Sequence, residues 1–231
     1  MENREPLDIR TINLEGFTLI CPRCWHTVHV DVTGYMHFDG PVIAPLPERM
    51  MVHACCPICY NSPDVDQEDK DDDMFTCDDK LVPYIVSLNK AGYRTQFCCQ
   101  GHIEVSDVAY GISRPYVIFQ DSVKHMKQIY SITKKYINDW LHDSTGLIVE
   151  IDGTSITRNI VNLSIGKLPD KMSSIKRGTR LYIGAGSEEL YEDYQRRFPS
   201  LTEHTISKMV CDRMQRIFFG YLDHLITELG I

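Results

Sequence analysis

Two Cys-Pro-x-Cys segments, at positions 21–24 and 56–59, constrain this chain more than any other feature of its sequence. Each segment places two thiols on one side of a tight turn. Four thiolates at about 2.3 Å complete the tetrahedron that Zn²⁺ prefers in proteins. The sequence therefore predicts a zinc site, and the predicted ligands are Cys21, Cys24, Cys56 and Cys59.

Two other cysteines are alternative ligands. Cys55 adjoins Cys56 and could replace it, although the Cys-Pro-x-Cys context favours Cys56. Cys77 lies beyond an acidic stretch and is a further alternative. The chain has nine cysteines, an odd count, and several of them stand in C-x-x-C or Cys-Cys pairs. This pattern suits thiolate metal ligands in a reducing compartment better than a disulfide framework.

The segment between the two cysteine pairs has the pattern of a β-hairpin. Residues 25–32 alternate with a period of two, residues 33–34 provide a Thr-Gly turn, and residues 35–38 return. A hairpin between two such cysteine pairs resembles a zinc ribbon, and the resemblance covers about residues 17–60. It implies that the metal is structural. We interpret the histidines of this segment as solvent-facing strand residues; they are His26, His29 and His37.

An acidic stretch at positions 64–73 separates this segment from the rest of the chain. It has no hydrophobic periodicity, so we predict that it is a solvated linker. The predicted organisation is a zinc-ribbon-like domain at 1–62, an acidic linker at 63–78 and an α+β domain at 79–231. The 43% hydrophobic content is sufficient for a packed core.

The predicted α+β domain begins with a helix that ends near Gly92, and a strand follows in which Thr95, Phe97 and Cys99 share one face. A second strand covers residues 116–119. Asp121 or Ser122 then caps a long amphipathic helix. The Asp-Gly pair at 152–153 predicts a hairpin. This order of elements indicates an α+β fold with a mainly antiparallel sheet.

The chain ends in a long predicted helix. Residues 200–203 read Ser-Leu-Thr-Glu, which is a capping-box pattern, and Gly230 marks the C-terminal end. The helix carries a broad apolar face between Ile206 and Leu229. We interpret this face as part of the core, with a homodimer contact through the C-terminal helix as the alternative.

A second group of reactive side chains lies where the strand ends. Cys98 and Cys99 precede Gly101, which permits a sharp turn, and His102 follows. A thiol and an imidazole at this spacing can reach a common metal or substrate, with cysteine as nucleophile or metal ligand and histidine as base. Cys99 and His102 are the candidate catalytic residues, although one of the two cysteines could be a small buried hydrophobe. Possible helpers in the following loop are Glu104, Asp107 and Arg114.

The same region carries a family resemblance. Residues 88–95 read Leu-Asn-Lys-Ala-Gly-Tyr-Arg-Thr, and residues 98–102 read Cys-Cys-Gln-Gly-His. With the strand at 116–119, they resemble a motif of a family of uncharacterised bacterial and bacteriophage proteins, which implies no particular activity. The segment is also similar to one in wybutosine-synthesising tRNA methyltransferases, which have Ser-Cys-Ser-Gly-Arg at a comparable strand end. Gln100 and His102 stand here in place of the second Ser and the Arg of that family.

Charge and hydropathy limit the classes of function. The formal net charge is −8, which argues against wide contact with nucleic-acid phosphates, yet a compact basic cluster lies between residues 167 and 180. No apolar run reaches the roughly 18 residues that span a bilayer, and the first residues do not resemble a signal peptide. We therefore expect a cytoplasmic zinc-binding protein that does not contact membranes. We expect its basic cluster to recognise a protein or nucleic-acid partner; the alternative is a Cys/His enzyme acting on a nucleotide or nucleic acid.

Overall fold

A computed structural model describes residues 17–30, 35–37, 43–45, 56–64, 74–105, 110–140, 147–155, 170–186 and 188–231. The chain divides into two compact units, which we call the first unit (Met1–Val86) and the second unit (Ser87–Ile231). The boundary falls inside helix α2, Val82–Lys90. Among the described residues, no helix combines the length and the apolar character that crossing a bilayer requires.

The first unit contains an antiparallel sheet of short strands in the order β4-β3-β2-β1-β5. These strands are β1 Phe17–Ile20, β2 Thr27–Val30, β3 Tyr35–His37, β4 Ile43–Pro45 and β5 Phe75–Cys77. The pairing of β2 with β3 joins the two arms of the predicted hairpin. A five-residue helix, α1 Pro57–Asn61, starts directly after Cys56.

Strand β5 lies within the range 63–78 that the sequence suggested as a linker. It pairs with β1, placing Cys77 opposite Thr18, and Cys77 is buried. The hydroxyl of Thr18 donates a hydrogen bond of 2.6 Å to the carboxylate of Asp79, which also lies 3.3 Å from Nδ1 of His29. The half-exposed side chain of His29 therefore contacts Asp79, in addition to facing solvent. These contacts extend the first unit beyond the acidic stretch.

The second unit is built on an antiparallel sheet in the order β11-β10-β12-β9-β6. Its strands are β6 Thr95–Cys99, β9 Tyr116–Phe119, β10 Leu147–Ile151, β11 Thr154–Ser155 and β12 Leu181–Ala185. A separate hairpin pairs β7 His102–Val105 with β8 Tyr110–Ser113. The remaining helices are α3 Val123–Trp140, α4 Glu188–Arg197 and α5 Glu203–Leu229. The predicted α+β class with an antiparallel sheet and a long C-terminal helix is confirmed for this part of the chain.

The two faces of this second sheet differ in burial, because side chains alternate along each strand. One face is mainly apolar, and its central residues are buried; they include Val117, Phe119, Leu181, Ile183 and Val149. The apolar side of α5 is buried too, including Val210, Met214, Phe218 and Leu225. We call the opposite side the outer face. Its residues, identified by their cross-strand partners, are Phe97, Cys99, Tyr116, Ile118, Ile148, Glu150, Tyr182 and Gly184.

A β-bulge in β6 corrects one expectation. Thr95 pairs with Phe119, whereas Phe97 pairs with Ile118, so an extra residue is inserted between them. Strict alternation predicted that Thr95 and Phe97 share a face, and the bulge places them on opposite faces. The bulge turns Phe97 outward, where 57% of its surface is exposed.

The helix and turn signals were read correctly at most positions. Ser122 caps α3, since its hydroxyl accepts a hydrogen bond of 3.2 Å from the N–H of His125. The Asp152-Gly153 hairpin forms with both residues at positive φ, and Gly230 ends α5 in the left-handed conformation. The predicted capping box was placed wrongly: α5 begins at Glu203, and its N-cap is Thr202, whose side chain accepts from the N–H of Thr205.

Candidate metal centre and thiol–imidazole pair

Four cysteines of the first unit come together as the sequence predicted. The Sγ atoms of Cys21, Cys24, Cys56 and Cys59 all lie within 4.8 Å of one another. The distances are 3.7 Å from Cys21 to Cys59 and 3.6 Å from Cys24 to Cys56. A tetrahedron with metal–sulfur bonds of about 2.3 Å has edges of about 3.8 Å. The spacing of these thiols therefore fits a tetrahedral metal ion, and this cluster could hold one.

The backbone around each cysteine pair points N–H groups at sulfur. The N–H of Arg23 donates to Sγ of Cys21 at 3.4 Å, and Trp25 adopts a positive φ of 60° as the chain turns back. Cys56 receives backbone hydrogen bonds from Ile58 and Cys59 at the start of α1. Such donors stabilise negative charge on the sulfur atoms, and surrounding hydrogen bonds of this type orient metal ligands.

Three of the four thiols have shifted pKa values. Burial raises the pKa of Cys56 to about 11, and burial also raises the pKa of Cys59. At Cys24 burial acts in the same direction, but hydrogen bonds from the N–H of His26 and from the neighbouring thiols outweigh it and lower the pKa. Four thiolates this close together therefore require a bound cation, so metal binding releases protons.

Of the two alternative ligands, Cys77 takes no part in this cluster. Cys77 is buried in β5, and its thiol donates to the carbonyl oxygen of Asp78 at 3.6 Å. Cys55 lies outside the described residues, so the preference for Cys56 over Cys55 stays a prediction. None of the eight described cysteines forms a disulfide.

The second unit brings Cys99 and His102 together. Sγ of Cys99 lies 3.6 Å from Nδ1 of His102, and the N–H of Gly101 donates to the same sulfur at 3.3 Å. Both side chains are half-buried, as is Cys98. Among the suggested helpers, Arg114 is described, whereas Asp107 and the side chain of Glu104 lie outside the described part of the structure.

Gly101 sets the geometry of this turn. Its φ is +81°, and a Cβ atom there would lie 2.8 Å from Cδ of Pro115. Its carbonyl oxygen accepts a hydrogen bond of 2.6 Å from the side-chain amide of Gln215 on α5. Only glycine fits this position, and the turn is anchored to the long C-terminal helix.

Sequence reasoning did not identify the tyrosines beside this pair. Tyr116 pairs with Cys99 across the strands, and its ring stacks on Tyr182 with centroids 5.2 Å apart. Burial raises the pKa of Tyr182 to about 12; the charge of Arg114 opposes this shift, and nearby acidic groups add to it. Both tyrosines stand at alternating positions of recognisable strands, but only the cross-strand register shows that they meet.

No protein-family model, curated protein or solved structure matches this chain. The family resemblances and the zinc-ribbon resemblance suggested by the sequence therefore stay predictions.

Proposed function

We propose that the four clustered cysteines hold one structural Zn²⁺, and that the protein is a binding or regulatory module for a protein or nucleic-acid partner. The observation that carries the metal assignment is the mutual approach of four Sγ atoms within 4.8 Å. Four sulfur ligands suit Zn²⁺ and leave no open position for water or substrate, so the ion would stabilise the fold rather than catalyse.

Surface charge supports the binding role. Lys171, Lys176, Arg177 and Arg180 are all exposed. Lys176 and Arg177 line a surface depression of about 540 Å³, and its other residues are Asp152, Ser173, Ser174, Gly178 and Thr179. Neither cation forms an ion pair with another described residue. Exposed cations that have no ion pair in the described part of the chain are available to an acidic partner or to phosphate groups.

Elemental analysis of the purified chain tests the metal assignment. We expect one zinc per chain in the wild type and none in a Cys24→Ser, Cys56→Ser double variant. Cys77→Ser is the matched control, because Cys77 is a buried cysteine of the same unit outside the cluster. A wild type without stoichiometric zinc, or a double variant that keeps it, would reject the assignment.

The Cys99–His102 contact supports a second candidate function, an enzyme that uses a thiol nucleophile on a nucleotide or nucleic acid. The imidazole is placed to accept the thiol proton, and the N–H of Gly101 can stabilise the thiolate. Alkylation of Cys99 by iodoacetamide, followed by mass spectrometry, measures this activation. We expect His102→Ala to slow alkylation of Cys99 about tenfold at neutral pH while leaving Cys98 unaffected. Equal rates at Cys99 in both proteins would remove this candidate.

A further inference from the structure

The outer face of the second sheet carries one exposed aromatic side chain, Phe97, and a half-buried pair of tyrosines. Phe97 is among the most exposed large hydrophobic residues of the described chain, at 57% of its surface. Tyr116 and Tyr182 are half-buried and stack on each other with an angle of 26° between their ring planes. Gly184 makes room for this pair, since a Cβ atom there would lie 2.6 Å from the hydroxyl of Tyr182.

The strand register fixes the spacing of these rings. Phe97 pairs with Ile118, and Ile118 pairs with Tyr182 on the next strand. Neighbouring strands lie about 4.8 Å apart, so Phe97 and Tyr182 are separated by roughly 10 Å across the sheet. Ile118 lies between these two rings, and Tyr116 belongs to the neighbouring cross-strand row. Flat rings on one face of a sheet form a surface on which unpaired bases can stack.

Exposed cations lie at one end of the same sheet. The N–H of Gln120 donates to the carbonyl oxygen of Arg94, and its side-chain amide donates to the carbonyl oxygen of Gly178. Arg180 follows Gly178 and directly precedes β12. These bonds bring the ends of three chain segments together, and the exposed cations they carry are Arg94, Lys176, Arg177 and Arg180. None of these four forms an ion pair within the described part of the chain.

Two carboxylates at this end of the sheet accept hydrogen bonds from neighbouring groups. Asp121 accepts hydrogen bonds from the N–H of Arg94 and from His125, and Asp152 accepts from the N–H of Arg180. Their charge is thereby partly compensated by the backbone and by the histidine. Glu150 is the acidic residue of the outer face itself, where it lies opposite Tyr182.

The net charge of −8, which argues against contact with nucleic-acid phosphates, is unevenly distributed between the two units. Residues 1–86 contain 6 Lys and Arg against 16 Asp and Glu, a balance of −10. Residues 87–231 contain 18 against 16, a balance of +2. The excess of acidic groups therefore belongs to the first unit, and the unit that carries the aromatic face is slightly basic.

We propose that the outer face of the second sheet is a platform for single-stranded nucleic acid, on which bases stack against Phe97 and the Tyr116–Tyr182 pair while Arg94, Lys176, Arg177 and Arg180 contact phosphates. This inference rests on the proposed binding function and names its partner. An exposed ring, a stacked tyrosine pair and cations that have no ion pair among the described residues together favour a polyanion with flat bases over a protein. A duplex would not fit the platform, because its bases are already stacked and paired.

Fluorescence anisotropy of the whole 231-residue chain, loaded with zinc, tests the platform. The probes are fluorescein-labelled oligo(dT) and oligo(U) of about 15 nucleotides and a duplex of equal length. We expect both single strands to bind at least about tenfold more tightly than the duplex. Phe97→Ala should weaken binding roughly 5- to 150-fold, the loss typical of one stacked base, and Phe97→Trp should restore it. Phe198→Ala is the matched control, since Phe198 is also exposed but lies at the end of α4.

Salt dependence tests the phosphate contacts. Binding measured between about 50 mM and about 200 mM salt gives a slope of log affinity against log salt. Replacing Lys176 and Arg177 by Gln should reduce the magnitude of this slope by roughly 1.4, because each phosphate contact on a single strand contributes about 0.7. The same change at Arg196 and Arg197, two exposed cations of α4 that pair with Asp193, should leave the slope unchanged.

Three results would overturn the inference. Single-strand binding that Phe97→Ala leaves unchanged would place the nucleic acid elsewhere, and equal affinity for the duplex would exclude stacking. A wild type that binds none of the probes would reject a nucleic-acid partner, and the proposed module would then bind a protein. The zinc measurement is independent of all three, because the platform lies in the second unit and the cysteine cluster in the first.

Discussion

The first and second units contain elements of very different length. Among its described residues, the first unit has strands of three or four residues, a helix of five residues next to its four clustered cysteines, and the first part of α2. The second unit has helices of 18 and 27 residues over a sheet with a continuous apolar face. Short elements bury little apolar surface, so small domains commonly depend on metal ions or disulfides, whereas longer amphipathic elements supply their own core. With the proposed zinc bound, this chain would combine metal-dependent stabilisation in one unit with hydrophobic stabilisation in the other.

Removal of zinc should have the largest effect and should separate the two units. We expect a strong chelator, or the Cys24→Ser, Cys56→Ser variant, to unfold the first unit, because binding energies of about 10 kcal/mol or more stabilise structural zinc sites. Far-UV circular dichroism should keep most of its helical signal, since the longest helices belong to the second unit. Hydrogen exchange with peptide resolution locates the loss. Unfolding of both units together would contradict the comparison.

A core substitution in the second unit should destabilise that unit and leave the first unit folded. Phe218 is fully buried on α5, so Phe218→Ala should lower the free energy of unfolding of this unit by about 3–5 kcal/mol. Denaturant titration measures the loss. The zinc content should remain one per chain, and a reduced zinc content would show that the first unit depends on the core of the second.

Two glycines of the second unit have a similar positive φ but different surroundings, so they separate the cost of backbone strain from the cost of a steric contact. Gly101→Ala should cost about 3 kcal/mol, because it combines a φ of +81° with a Cβ position 2.8 Å from Pro115. Gly178→Ala is the matched control: its φ of +85° is similar, but nothing lies within 4 Å, so the cost should be about 1–2 kcal/mol. Thermal unfolding of both variants checks the order. Equal losses would show that the contact with Pro115 relaxes freely.

The start of α5 should give the smallest effect. Thr202→Ala should lower the free energy of unfolding by about 1 kcal/mol, since the side chain of Thr202 accepts from the N–H of Thr205. Ser200→Ala should change it by only a few tenths of a kcal/mol, because Ser200 is exposed and precedes the cap. Chemical denaturation at equilibrium can measure this difference. A larger effect at Ser200 would reinstate the capping box that the sequence suggested.

The sequence by itself determined the features that depend on short-range pattern. The spacing of Cys21, Cys24, Cys56 and Cys59 indicated the metal centre, because each pair is held by a local turn. The apolar periodicity of the last helix, the cap at Ser122 and the Asp152-Gly153 hairpin were equally local. The cap and the hairpin turn are signalled by the residues that form them, and each cysteine pair by its own turn. The meeting of the two cysteine pairs, 32 residues apart from Cys24 to Cys56, followed only from the preference of a metal for four ligands.

Only the tertiary structure decided the features that depend on long-range pairing. The bulge before Phe97 arises from pairing with β9, and it places that ring on the opposite face from Thr95. The stacking of Tyr116 on Tyr182 and the contact of Gly101 with Gln215 join segments far apart in the chain. The pairing of β5 with β1 likewise crosses the acidic stretch. Strand register and helix docking depend on the shape of the whole core, so no local pattern could determine which residues share the outer face.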